Sequence, residues 1–122
     1  MNWQAFEEKA SAKTIEHLQS CYKGCKQNCE NYALMLKEEK ESLTYREGRL
    51  ESIGVILDKC HEGPIDEHTE YQRYLYRMMQ ESICRIKPTI AIYQKVFYDC
   101  KLMELEVASS LSLAIKSAYD NN

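Results

Sequence analysis

Cys21, Cys25 and Cys29 stand four residues apart in the stretch HLQSCYKGCKQNC, and His17 extends the row by one more step. On an α-helix, residues four apart are neighbours along one face, about 6 Å from each other. Such a row offers imidazole and thiolate donors to a soft ion, Cu(I) or Zn(II). A second helix returning antiparallel would bring Cys100 opposite the interval between Cys25 and Cys29, and Met103 opposite Gly24. Cys25, Cys29 and Cys100 are therefore candidate metal ligands. The competing reading is core packing, because Cys25 and Cys29 fall on the apolar row of their helix and free cysteine packs as a small hydrophobe. Small residues there would also let the facing helix approach Gly24. A disulfide across the two helices is a third reading. No CxxC pair occurs, so the paired spacing of common zinc sites is missing. The pattern favours core packing, then the disulfide, then the metal.

Other chemistry-bearing residues are weaker signals. Residues 70–77, EYQRYLYR, interleave tyrosine and arginine as single-strand nucleic-acid binders do. Asp66, Glu67, Glu70 and Glu81 surround them, and acidic flanks oppose phosphate attraction. The plainer reading makes Tyr71, Tyr74 and Met78 one half-buried helix face. His61 and His68 flank a turn beside Cys60, but no fourth zinc ligand stands at a recognised spacing. GxSxG, P-loop, GxGxxG, HExxH and EF-hand patterns are all absent, and no Glu-x-x-His pair is present for a di-metal bundle. No enzyme activity and no cofactor are expected.

The elements that carry these residues read as long helices. Only 4 glycines and 2 prolines interrupt 122 residues, and no period-2 strand signal extends beyond a few positions. An apolar 3–4 series runs from Ile15 through Leu18, Tyr22, Cys25, Cys29, Tyr32 and Leu36 to Leu57 and Cys60, with Glu39 and Arg46 as its charged members. That spacing marks a helix packed along one stripe. It ends at HEGPID, residues 61–66, where glycine suits a helix C-cap and proline cannot extend one. Asp66, or Thr69 with Gln72, can cap the next helix. The second series is Leu75, Met79, Ser82, Ile86, Thr89, Tyr93, Val96, Cys100, Met103, Val107, Ser110 and Ala114. Ile83, Ile90, Ile92, Phe97, Leu102 and Leu111 widen its apolar face, which points to more than one neighbour.

The expected fold is all-α: an antiparallel helical hairpin or coiled coil, one domain over residues 1–122, with helices at about 3–60 and 67–119 and a turn at 61–66. Facing residue numbers should then total about 127. This sets Arg46 against Glu81 and Glu39 against Pro88, so kinks are expected near 41–48 and 88. The alternative is a compact four-helix bundle, with a capping box at Thr44-x-x-Glu47 opening a new helix and Pro88 breaking the second arm.

The charge of −3 argues against a dedicated nucleic-acid binder. No signal-peptide pattern and no apolar run of membrane-spanning length is visible, so an intracellular, cytoplasmic setting with reduced thiols is expected. Nine tyrosines and five methionines suit an interface. The expected role is a non-enzymatic protein–protein interaction module, scaffold, adaptor or inhibitor, whose partner is another protein or a second copy in a homodimer. The expected contact residues are Trp3, Phe6, Tyr71, Tyr74, Ile92, Val96, Leu102 and Leu113. A thiolate bundle for Cu(I) or Zn through Cys25, Cys29 and Cys100 is the alternative.

Overall fold

The computed structural model describes the backbone of residues 3–60 and 66–120 and the side chains of residues 11–60 and 66–120. Two helices account for nearly all of it: α1, Trp3–Lys59, and α2, Glu67–Asp120, with no strand among the described residues. They pack against each other as an all-α helical hairpin. The Gly63–Pro64 corner and His61 lie outside the described residues, as do the side chains of Trp3 and Phe6. Residues are grouped into two compact units, Met1–Ala33 with Lys95–Asn122 (unit 1) and Leu34–Gln94 (unit 2), and α1 and α2 each contribute to both.

The helix ends follow their local chemistry. Cys60 closes α1 with backbone bonds to Ile56 and Leu57. Asp66 is the N-cap of α2: the Thr69 backbone N–H and hydroxyl both donate to its carboxylate at 2.8 Å. Glu70 N–H donates to the Asp66 carbonyl at 3.1 Å, the first bond of the helix. Thr69, the other candidate cap, is instead a buried member of the first turn. The bonds from Thr69, backbone first, hold the Asp66 carboxyl below its ordinary value.

Neither expected break interrupts its helix, which removes the four-helix alternative. Thr44 caps nothing: its hydroxyl donates back to the Lys40 carbonyl at 3.0 Å, the bond a threonine makes inside a continuous helix. Pro88 sits within α2. It takes the donor from the Cys84 carbonyl, and both residues are exposed, on a side of the helix where solvent can satisfy that carbonyl.

In α1, every member of the expected apolar series from Ile15 to Cys60 is buried or half-buried. In α2, half of the expected series is displaced by one position. The observed inward row is Thr69, Gln72, Tyr76, Met79, Ile83, Ile86, Ile90 and Tyr93 in unit 2, then Phe97, Cys100, Glu104, Val107, Leu111, Ala114 and Ala118 in unit 1. This is an unbroken 3–4 series. Leu75, Ser82, Thr89 and Val96 flank it half-buried, whereas Met103 and Ser110 are exposed. Ile83, Ile90, Phe97 and Leu111 are therefore the seam itself and not a widening of it.

Unit 2 has its core in Leu36, Ile86 and Ile90, with Leu43 and Tyr93 against it, and Ile53 and Ile83 are also buried. Arg46 donates to the Ser82 carbonyl at 3.2 Å, and the two positions total 128, one from the expected sum. The expected partner Glu81 is exposed and meets Arg85 on its own helix at 3.7 Å. A half-buried guanidinium in the seam is better satisfied by a nearby backbone carbonyl than by a carboxylate that would have to leave water. A Cβ on Gly24 would meet nothing within 4 Å, so the close helix approach expected there is not made.

Candidate functional site

Of the cysteine row, unit 1 buries one thiol fully: Cys29 is 3% exposed, with Cys21 and Cys25 half-buried. The inward row of α2 brings Glu104 to it. Glu104 is buried, accepts a hydrogen bond from the Cys29 thiol, and accepts another from Lys101 Nζ at 3.2 Å. Cys100 and Lys26 lie near enough to act on this pair through their charge. The result is a thiol–carboxylate–ammonium cluster inside an otherwise apolar seam.

Its electrostatics decide what it can do. Burial first, then the hydrogen bond and negative charge of Glu104, push the Cys29 thiol from 9.0 to about 11. At pH 7 it is then almost entirely the protonated thiol, the form that donates a hydrogen bond. Glu104 is shifted the opposite way: the Cys29 thiol and Lys101 hold its carboxyl below the ordinary value, against the opposing effect of burial. The thiol is thus a donor that stabilises a carboxylate.

A groove of ≈ 180 Å³ opens beside the cluster between Lys26, Ala33, Phe97 and Lys101. It is an open furrow, smaller than the roughly 300–1,000 Å³ of pockets that enclose drug-sized molecules.

The candidate ligands Cys25, Cys29 and Cys100 are not gathered into a metal centre. No group of three or more His, Cys, Asp or Glu side chains among the described residues could hold an ion. Cys25 is half-buried one turn before Cys29, and Met103 points to solvent, 57% exposed. His17 pairs only with Cys21, Nε2 to Sγ at 3.6 Å, on an exposed face. All six cysteines are free thiols.

The expected contact residues divide differently. In unit 1, Leu102 and Leu113 are exposed, Leu113 by 66%, while Val96 is half-buried beside the seam. In unit 2, Tyr71, Tyr74 and Ile92 are each more than half exposed, so the tyrosines form an outer and not a half-buried face. Sequence reasoning missed Tyr98 and Leu105, which stand four residues before and three after Leu102 and are more than 60% exposed. Tyr98, Leu102 and Leu105 are successive neighbours on the outer side of α2, away from the seam of Phe97, Cys100 and Glu104. The corresponding side of α1 in unit 1 carries Lys23, Lys26, Gln27 and Glu30, all exposed. Among the described residues of unit 1, the exposed large apolar side chains therefore belong to α2. No helix among the described residues is long and apolar enough to cross a membrane.

Comparison with known proteins finds no matching family model, no matching curated protein and no matching solved structure.

Proposed function

We propose that the chain is a non-enzymatic protein–protein interaction module, a scaffold or adaptor that associates with itself through the outer apolar face of α2. The observation that carries this reading is the row Tyr98, Leu102 and Leu105, with Leu113 beyond it, exposed on a helix whose opposite side is already packed. Scattered exposed apolar residues are ordinary, but consecutive ones along one helix face mark an interaction surface. The Cys29 thiol as a hydrogen-bond donor to Glu104, beside a small groove, supports reading the buried polar cluster as structural. Six free thiols suit a reducing compartment, which supports a cytoplasmic setting for the proposed module.

The magnitudes support reversible association. Three leucines from each of two copies, at about 2 kcal/mol each, give roughly 12 kcal/mol of gross burial. Association costs an estimated 4–15 kcal/mol, so the complex should assemble and dissociate with concentration. The test is sedimentation of the wild type beside Leu102→Glu/Leu105→Glu. The reading predicts association that the double variant abolishes while helix content by circular dichroism is unchanged. Undiminished association in the variant would exclude this face.

A further inference from the structure

Eight residues on the outer side of α2 in unit 1 form a 3–4 row opposite the seam, and every one of them is exposed. We infer that this row pairs with itself in a second copy, antiparallel, about a two-fold axis passing between Val107 and Ala108. The inference rests on the self-associating reading above and specifies its geometry. With that axis, facing positions total 215. Lys95 then meets Asp120, Asp99 meets Lys116, and Leu102 meets Leu113, each pair occurring twice by symmetry. At the centre, the Glu106 carboxylate meets the Ser109 hydroxyl, which can donate to it.

The complementarity chooses the occupant and its direction. A parallel pairing in register would set Lys95 against Lys95 and Asp99 against Asp99, and like charges in register oppose association. The antiparallel pairing sets no like charges directly opposite each other, and the two Glu106 carboxylates, about 4.5 Å apart along the helix axis, are each met by a Ser109 hydroxyl. It is also isologous, with the same patch on both copies, as a closed two-fold dimer requires. From Lys95 to Asp120 the row is about 39 Å long, at 1.5 Å per residue. On a helix about 10 Å across this is roughly 400 Å² per copy, half of the ≈ 800 Å² typical of a stable complex, so the dimer is a reversible one. Tyr98 and Leu105 border the row and extend its apolar area.

Charge reversal tests the pairing on residues that the fold does not use. In Lys95→Asp/Lys116→Asp, all four cross-copy ion pairs become like-charge contacts, and dimer affinity measured by sedimentation equilibrium should fall by at least about tenfold. Adding Asp99→Lys and Asp120→Lys reverses every pair again and should restore affinity to near wild type. A double variant that dimerises like the wild type, or a fourfold variant that fails to recover, overturns the antiparallel pairing while leaving self-association in place. A wild type that stays monomeric at every concentration overturns self-association itself.

Discussion

Replacing Ile90 with alanine tests the position of the seam. Ile90 is 7% exposed and belongs to the core of unit 2 with Leu36 and Ile86. The substitution removes three carbons, and at about 0.8 kcal/mol per buried CH₂ this alone costs about 2.4 kcal/mol. A cavity in a closed core would add to that, but this layer is only two helices thick and neighbours or water can refill the space. The expected loss is therefore about 2.5 kcal/mol, near the lower end of the range for Ile→Ala. Met103→Ala is the matched control, since Met103 is 57% exposed and belonged to the series that the structure displaces; its cost should stay below ~0.5 kcal/mol. Urea titration followed by far-UV circular dichroism measures both, at one fixed protein concentration because association adds to apparent stability. An Ile90→Ala loss below ~1 kcal/mol, or a Met103→Ala loss of equal size, would refute the seam.

The glycines give a prediction of opposite sign. A Cβ at Gly24 or Gly48 would meet open space, so each Gly→Ala change should raise stability by about 0.5–1 kcal/mol in the same titration. Thiol labelling at pH 8 should modify exposed Cys84 first and Cys29 last, and a Cys29 that labels with Cys84 would contradict its burial and raised pKa. The folded pKa of Cys29 lies above its ordinary value, so its contribution to stability is complete below about pH 9 and is lost as pH rises towards about 11. Glu104 and Asp66 have lowered pKa values, so their contributions are present above their ordinary values of 4.5 and 3.8 and are lost as acid is added below them. Thermal melts should accordingly decline below about pH 4.5, and Glu104→Gln should flatten that decline; an unchanged acid limb would exclude Glu104 from it.

How much of this was legible in the sequence differs between the two helices. In α1 the residues off the seam are mostly charged or amide, as at Lys26, Gln27 and Glu30, so the apolar row stands out in the sequence from Ile15 to Cys60. In α2 apolar residues occupy both sides, and two adjacent rows compete. One holds Leu75, Val96 and Met103; the other holds Tyr76, Ile83, Ile90, Phe97 and Leu111. The second is richer, but Glu104 interrupts it at the level where Met103 continues the first. A carboxylate is rarely buried without partners, and here the partners are Cys29 and Lys101. Lys101 is local on α2, but the Cys29 contact crosses the two helices, so no window along α2 reveals it. Pro88 misled for a related reason: its ring and the bond it removes lie on the solvent side, which the displaced row did not identify.

The most direct measurement is sedimentation equilibrium of the unmodified chain over a wide concentration range under reducing conditions. The account predicts a weight-average mass that rises with concentration from 14.3 kDa towards twice that value. A mass fixed at 14.3 kDa throughout would contradict it.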